Sequence, residues 1–342
     1  MRGLATHPAA RGLADDCAVL EIGGEALVVT HDAMAKGVHF LPGQDPADIA
    51  WKLVASNLSD LAAKGAEPLG VLLGYQFSAD DDCFLAGLTE VLAHYGVPLL
   101  GGDTIGGNGP QVLGLTALGR ATHRPVPSRS GAKAGDTLWL TGAVGAAMLG
   151  FEALRDGTDA DSLAFRRPLA LLAEGWALAP LVTAMMDVSD GLLLDASRMA
   201  TASGLAFDID PAAVPLACPE ERRDEALRWG DDYQLLFTLP QDQAPPVPAF
   251  RIGTALADDP LLSHFTAATM CGALACGVAA EPWRAFGDAL GEAYQVADDI
   301  RDVMGDAEQL GKPVGQDAHH GRPSAAAELG LVGALHRFRQ LM

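Results

Sequence analysis

The sequence predicts an α/β protein with two sheet-containing domains, followed by an α-helical C-terminal segment. Apolar strand-like runs alternate with helix-period segments through the first two-thirds of the chain. A Pro-, Ser- and Gly-rich stretch near residue 122 divides that region, and no strand candidate occurs beyond about residue 262. We therefore expect one α/β domain over residues 1–122, a second over 123–257, and a helical segment over 258–342.

The first domain begins with an apolar run, residues 26–30, that reads as a strand. Residues 45–66 place apolar side chains at helical spacing, and Gly65 is a plausible end of that helix. The remaining elements alternate in the same way. They are strand 69–77, helix 81–96, strand 97–104 and strand 112–121.

The second domain repeats the alternation of strands and helices after the dividing stretch. We expect strands at 137–142, 184–190, 205–210, 232–239 and 251–255, and helices at 143–154, 168–178 and 191–203. A Pro-rich link precedes the last strand.

Composition limits the classes of partner. The chain has 342 residues, of which 49% are hydrophobic and 20% charged, as is typical of a soluble protein that buries a core. Its net charge of −21 disfavours nucleic acid and anionic membrane surfaces, so we expect neither as a partner. The chain shows no secretory signal and no apolar run of membrane length, and its five cysteines form no C-x-x-C pair. We expect a cytoplasmic location.

Aspartates recur where apolar runs meet turns. Any one of them alone is most simply a turn or helix-capping residue. A set of this size favours Mg²⁺, which takes oxygen ligands and bridges to substrate phosphates. Several ions are needed when two highly charged phosphates approach each other. The set comprises Asp15, Asp16, Asp32, Asp103, Asp187 and Asp190 at strand ends, and Asp60 in a helix.

Glycine-rich turns give a second, weaker signal for phosphate. The chain has no G-x-x-x-x-G-K-[ST] motif, so it has no P-loop. Gly142 and Gly145 indicate close helix–strand packing more than a dinucleotide site. The stretch 101–109 is a better candidate for backbone close to a phosphate, because Asp103 lies inside it. Arg129 is a candidate phosphate contact, since guanidinium matches phosphate oxygens.

Taken together, these motifs make residues 12–257 resemble the thiamine-monophosphate kinase family of the PurM-like superfamily. The resemblance implies a two-domain PurM-like fold whose N-terminal domain dimerises. It also implies ATP-dependent phosphorylation of thiamine monophosphate to thiamine diphosphate, by direct in-line transfer with several Mg²⁺ ions in a homodimer. The matching stretches are, in order, DDCAVL, THDAMAKGVHFLP, WKLVASNLSDLAAKGAEP, LLGGDT, SRSGAKAGD, LTGAVG, MMDVSDGL, WGDDYQLLFT and RIGT.

The resemblance also implies roles for individual residues. Asp60, Asp103 and Asp187 would be catalytic as metal ligands, and His39 and Asp231 would face thiamine monophosphate. The implied metal ligands are Asp16, Thr30, His31, Asp32, Asp60, Asp103, Asp187 and Asp190. The implied ATP contacts are Tyr95, Gly102, Asp103, Arg129 and Ser189.

Four positions depart from the family pattern. Ala14 stands where Gly is more frequent, His31 where Thr or Ser is usual, and Asp231 and Gln234 where Glu is usual. The family's closing segment, which carries an aromatic residue against thiamine, does not follow RIGT. A nucleotide- and metal-binding relic without turnover, or a related activity on another small acceptor, are therefore alternatives to the active kinase.

Residues 265–331 resemble a different family, the C-terminal part of trans-type polyprenyl diphosphate synthases. The implied metal ligands are Asp298, Asp299 and Asp302, with Lys312 near a diphosphate. That chemistry needs a first aspartate-rich motif on an opposing helix, and the sequence contains none. A solvated acidic helix is the favoured interpretation, and prenyl transfer ranks last among the functions considered.

Overall fold

The computed structural model describes residues 2–257, 283–287, 289–290, 293, 333, 337 and 339. The chain divides into two compact units, Met1–Ala257 and Asp258–Met342. No helix among the described residues is long and apolar enough to cross a membrane. The α/β class expected for the first unit is confirmed by two five-stranded sheets with helices packed on them.

The first sheet has the strand order β1-β2-β5-β3-β4. Its neighbours pair antiparallel, except that β3 and β4 run parallel. Two helices, α1 and α2, accompany it. The elements are β1 Ala18–Ile22, β2 Glu25–Ala35, α1 Pro46–Ala63, β3 Ala66–Gln76, α2 Asp81–Tyr95, β4 Leu99–Ile105 and β5 Val112–Ala121.

The second sheet has the order β7-β9-β6-β10-β8, and all its neighbours pair antiparallel. Short 3-10 turns occupy Arg2–Leu4, Pro8–Leu13, Pro211–Ala213 and Glu220–Arg222. The elements are β6 Thr137–Leu140, α3 Ala146–Asp156, α4 Leu163–Arg166, α5 Leu172–Leu178, β7 Ala184–Asp187, α6 Leu192–Ser203, β8 Ala206–Ile209, α7 Arg223–Ala226, β9 Leu235–Leu239 and β10 Phe250–Leu256.

Helix α1 is the central element of the first unit. Its start is fixed by Asp45, whose side chain accepts a hydrogen bond from the Ala47 amide at 2.9 Å, and by Pro46 in the first turn. It is buried along almost its whole length, since it packs on α2, on β2, β3 and β5 of the first sheet, and on α5 and β7. Polar side chains on α1 are therefore held rigidly between the two sheets.

Three predicted elements are shorter than expected, two of them for a local backbone reason. The helix at 143–154 starts at Ala146, because Gly145 adopts a left-handed conformation with φ of +94°. The strand at 232–239 starts at Leu235, because Asp231 and Tyr233 both have positive φ. Strand β7 ends at Asp187 instead of continuing to residue 190.

The helix predicted at 168–178 forms only from Leu172 onward. Side chains of α1 and α2 form hydrogen bonds with backbone groups of residues 168 and 170, which precede this helix. Trp51 donates to the Pro168 carbonyl at 2.8 Å, and the Ala170 amide donates to the Tyr95 hydroxyl at 2.9 Å. The sequence prediction also omitted three short elements, namely β1, α4 and α7.

In the second unit the described residues are few. The rings of Trp283 and Phe286 lie 6.0 Å apart between centroids and are nearly perpendicular. The aspartate-rich motif of the polyprenyl synthase resemblance falls outside the described residues. Its members are Asp298, Asp299, Asp302 and Lys312.

Candidate active site

Three carboxylates from distant parts of the chain converge in the first unit. Asp16 lies in the turn before β1, Asp60 near the end of α1, and Asp187 at the end of β7. Their ligand oxygens all lie within 4.8 Å of one another. We call these three residues the carboxylate cluster, and they are three of the residues that the sequence predicted as metal ligands.

Asp187 is the most deeply buried member of the carboxylate cluster, with 1% of its surface exposed. Ser59 on α1 donates a hydrogen bond to its Oδ2 at 2.6 Å, while its Oδ1 has no hydrogen-bond partner among the described residues. Burial raises the pKa of Asp187 to about 8, and the charge of Asp16 adds to the effect. The site therefore disfavours a second bare negative charge and favours a cation.

Asp60 is also a buried carboxylate whose negative charge is disfavoured. Burial raises its pKa well above the usual value, and Asp187 and Asp32 add repulsion. Thr30 on β2 partly offsets this by donating its hydroxyl to Asp60. Thr30 thus lies next to the carboxylate cluster, and its hydroxyl faces Asp60 as a donor.

Asp32 extends the acidic surface along β2. It lies two residues after Thr30, on the same face of the strand, and its amide donates to Asn57 Oδ1 at 3.0 Å. The residue as a whole is exposed, yet partial burial of its carboxyl raises its pKa. The negative charges of Asp16 and Asp190 contribute to that rise. Asp32 therefore belongs electrostatically with the carboxylate cluster.

Two cations hold Asp16 in place. Arg129 donates its Nε to Asp16 Oδ1 at 2.8 Å and contacts the same oxygen through a terminal nitrogen. Lys64 Nζ lies 2.5 Å from Asp16 Oδ2 in an ion pair without hydrogen-bond orientation, so that oxygen has no hydrogen-bond partner among the described residues. The Lys64 side chain is fully buried.

Asp15 is the inner partner of Lys64. It accepts from Lys64 Nζ at 2.5 Å, from Arg11 at 2.6 Å and from the Ser128 hydroxyl at 2.7 Å. Burial opposes ionisation, but Lys64 and these hydrogen bonds outweigh it and hold the pKa of Asp15 well below its usual range. Asp15 is therefore an ionised structural anchor for the turn that carries Asp16.

The residues of the carboxylate cluster fit a hard divalent cation. Carboxylate oxygens are the ligands that Mg²⁺ prefers. One buried oxygen, Asp187 Oδ1, has no hydrogen bond among the described residues, which a bound cation would remedy. The raised pKa values of Asp60 and Asp187 come from burial and from neighbouring negative charges, which a cation would offset.

Ser189 and Asp190 lie in the turn between β7 and α6, directly after Asp187. Both amides donate to Asp195 Oδ2, at 3.1 and 2.9 Å, which fixes the turn. The Asp190 side chain is exposed and pairs with Arg198. The structure thus brings these two predicted site residues to the rim of the carboxylate cluster.

His39 and Asp231 are brought together by a residue that the sequence reasoning overlooked. Lys52 on α1 donates to the His39 carbonyl at 3.2 Å and to Asp231 Oδ2 at 2.8 Å. Its side chain is 1% exposed, and its ammonium lies 3.7 Å from the centroid of the Phe165 ring. A lysine within the apolar pattern of a buried helix was the available sequence signal for both Lys52 and Lys64.

A cavity of about 550 Å³ opens beside Asp231. Alanines and leucines make up half of its lining residues, and Trp51 contributes an aromatic ring. Its polar groups include Asp161, Arg167, Asp232 and Gln234. The predicted substrate contact Asp231 therefore lines a cavity of a size suited to a small organic ligand.

Two predicted site residues point away from the carboxylate cluster. His31 faces the opposite side of β2 from Thr30, and its Nδ1 lies 2.9 Å from Thr116 Oγ1. Tyr95 contacts Trp51, and its hydroxyl accepts from the Ala170 amide.

The stretch that carries Gly102 and Asp103 also lies apart from the carboxylate cluster. Asp103 lies on the exposed edge strand β4 and accepts from the Thr104 amide at 2.9 Å. Gly102 is explained by strand packing, because a Cβ there would lie 1.9 Å from the Leu73 carbonyl oxygen.

Comparison with known proteins shows the family of this chain. Residues 14–121 match the family model for the AIR synthase related protein N-terminal domain, and residues 133–293 match the model for its C-terminal domain. The thiamine-monophosphate kinase of Escherichia coli K12 is 38% identical over 253 residues, which cover 67% of this chain and 76% of that protein. The chain belongs to the thiamine-monophosphate kinase family.

Other members of the thiamine-monophosphate kinase family match to a similar degree. The kinase of Caulobacter vibrioides is 38% identical over 271 residues, covering 73% of this chain and 76% of that protein. The structure of the kinase from Stenotrophomonas maltophilia K279a superposes with a TM-score of 0.64 at 32% identity, covering 75% and 92% of the two chains. AaThiL complexed with AMPPCP and TMP gives 0.66 at 28% identity, covering 72% and 86%.

The comparisons also find the second resemblance. Residues 263–336 match the family model for polyprenyl synthetase. This match overlaps the end of the C-terminal AIR synthase related match, which extends to residue 293. The suspected polyprenyl synthase fragment is therefore consistent with this finding at the level of sequence.

Proposed function

We propose that this protein transfers the γ-phosphoryl group of ATP to thiamine monophosphate and so forms thiamine diphosphate. The observation that carries the proposal is the carboxylate cluster, formed by both halves of a kinase-family fold. The related AaThiL structure holds AMPPCP and TMP, an ATP analogue and the family's acceptor. The convergence of Asp16, Asp60 and Asp187 supplies what phosphate-to-phosphate transfer needs, a place for positive charge between two anions.

The carboxylate cluster would hold Mg²⁺, with Thr30, Asp32 and Asp190 as neighbouring ligands. When bound, Mg²⁺ shields the negative charges of the phosphates and of the developing transition state. Helix α1 and strand β7 are both buried, so they keep Asp60 and Asp187 in a fixed relation. His31 and Asp103 are also proposed as metal ligands. His31 would bind through its backbone carbonyl, and Asp103 would bind in the assembled dimer.

Side chains of the protein would position ATP and thiamine monophosphate. Arg129 offers a planar guanidinium to the ATP phosphates, and Ser189, Gly102 and Tyr95 are the other proposed ATP contacts. Asp231 and His39 orient thiamine monophosphate at the cavity beside Lys52. The acceptor oxygen is already ionised at neutral pH, so the proposed in-line transfer needs no general base.

We also infer a homodimer that forms through the first sheet. Its outer face and edge carry large exposed apolar side chains. Leu72, Leu100 and Ile105 are 38%, 53% and 56% exposed. All seven residues of the edge strand β4 are exposed, and Asp103 is one of them. Pairing of two copies at this face would cover these side chains and bring Asp103 into an interface. Cys17, Cys83 and Cys218 are free, which supports a cytoplasmic location.

The proposal is tested by incubating the purified protein with ATP, Mg²⁺ and thiamine monophosphate and separating the thiamine compounds by chromatography. We expect thiamine diphosphate from the wild type and at least about 10³-fold less from Asp60→Asn, because one carboxylate of the cluster is lost. Unphosphorylated thiamine, offered as a control acceptor, should give no product. Tight ATP binding with no turnover would identify a non-catalytic relic instead.

A further inference from the structure

Asp16 has two cationic partners, and they differ in how firmly they are held. Lys64 is fully buried and also donates to Asp15 Oδ1 at 2.5 Å and to the Met185 carbonyl at 3.2 Å. Arg129 has 18% of its side chain exposed, and its guanidinium contacts Asp16 and none of the other carboxylates of the cluster in the described contacts. Lys64 is thus the more firmly held partner of Asp16, and the Arg129 side chain is the less constrained one.

The backbone of Arg129 is anchored independently of its side chain. Its amide donates to Asp15 Oδ1 at 3.3 Å, and its carbonyl accepts from the Ser203 hydroxyl at 3.2 Å. Rotation about the side-chain bonds can therefore move the guanidinium without moving the chain. The guanidinium would travel from one anion, the carboxylate, to another of the same geometric kind.

Arg129 and a metal ion would compete for Asp16. A guanidinium on Asp16 Oδ1 places a positive charge close to any cation that uses the same carboxylate, and like charges at short range repel. The same guanidinium is the proposed contact for the ATP phosphates. Arg129 is therefore assigned two anionic partners, Asp16 and the ATP phosphates, which it would contact at different times.

We propose that Arg129 is an exchangeable counter-ion: it pairs with Asp16 in the empty site and moves to the nucleotide phosphates when a divalent cation binds Asp16. Cation binding then frees the phosphate contact, and phosphate binding removes the cation's competitor. Each ligand strengthens the other through this one side chain. The inference rests on the proposed function for Asp16 as a cation ligand.

Divalent-cation affinity in the absence of nucleotide tests the exchange. Mn²⁺ binding is measured by electron paramagnetic resonance on nucleotide-free wild type, Arg129→Gln and Arg129→Lys. We expect Arg129→Gln to bind Mn²⁺ about 10- to 100-fold more tightly, because one nearby positive charge is removed. Arg129→Lys keeps the charge and should stay close to the wild type. AMPPCP affinity should fall in Arg129→Gln.

Arg11→Gln is the matched control. Arg11 pairs with Asp15, the neighbour of Asp16, and does not contact Asp16 in the described contacts. This variant reports the general effect of removing a nearby arginine charge, so it should tighten Mn²⁺ binding clearly less than Arg129→Gln. Equal tightening in the two variants, or no tightening in Arg129→Gln, would overturn the exchange and leave the metal site intact. No saturable Mn²⁺ binding in any of the proteins would overturn the metal site and the exchange together.

Discussion

Neutralising Asp187 measures the repulsion within the carboxylate cluster. The carboxyl is buried, its Oδ1 has no hydrogen bond among the described residues, and its pKa is raised from 3.8 to about 8. Asparagine has the same shape. Its side-chain oxygen can keep the hydrogen bond from Ser59, and its NH₂ can donate to the other two carboxylates. We therefore predict that Asp187→Asn is more stable than the wild type when metal is absent.

The sign and size follow from linkage between proton binding and folding. A carboxyl whose pKa is raised on folding contributes stability below its unfolded pKa and loses it as pH rises to the folded pKa, here between about 4 and 8. The full shift corresponds to a limit of roughly 6 kcal/mol. Relaxation and hydration of an open site reduce the effect, so we expect the variant to gain about 2 kcal/mol at pH 8.

Urea unfolding in EDTA at pH 8 and pH 5 is the assay. The advantage of Asp187→Asn should be clear at pH 8 and nearly vanish at pH 5, where the wild-type carboxyl binds a proton. Asp103→Asn, the same change at an exposed carboxylate, should alter stability little at either pH. With Mg²⁺ present the order should reverse, because only the wild type retains all three ligands. A variant that is less stable than the wild type in EDTA at pH 8 would refute the reasoning.

Three further predictions concern the frame around the site. Lys64→Met should cost about 3 kcal/mol in urea unfolding, because two buried carboxylates lose their shared cation; a loss below about 1 kcal/mol would contradict this. Gly102→Ala should lower the thermal midpoint and cost at least about 2 kcal/mol, since its Cβ would lie 1.9 Å from the Leu73 carbonyl oxygen; an unchanged midpoint would argue against this packing. Burial raises the pKa of Asp232 to about 7, although a hydrogen bond from the Gly145 amide opposes this shift. The contribution of Asp232 to stability therefore falls as pH rises from about 4 to 7. Asp232→Asn should therefore gain about 1 kcal/mol relative to the wild type between pH 5 and 8, and a parallel pH profile would contradict this.

The sequence predicted the identities of the carboxylate cluster because their residue type and position at element ends limit what they can do. Asp16 precedes the apolar strand β1, and Asp187 ends the apolar strand β7. Asp60 lies on a helix whose apolar pattern places it between layers. The directions of side chains were harder to predict. His31 and Thr30 are adjacent on β2, and strand alternation sends one to Thr116 and the other to the cluster.

Long-range polar pairs could not be predicted from the sequence. Lys52 and Asp231 are 179 positions apart, and their ion pair depends on the packing of α1 against a turn with two left-handed residues. Lys64 likewise pairs with Asp15 only once the turn before β1 lies against the C-terminal end of α1. Pattern analysis assigns such lysines to solvent, whereas burial and pairing are properties of the assembled fold.

The transfer of labelled phosphate in a single turnover tests the central claim most directly. Excess protein is mixed with [γ-³²P]ATP, Mg²⁺ and thiamine monophosphate, and the labelled products are separated. We predict that the label moves into thiamine diphosphate with the wild type and stays in ATP with Asp60→Asn. Label released only as inorganic phosphate, or transfer at equal rates by the two proteins, would contradict phosphoryl transfer at the carboxylate cluster.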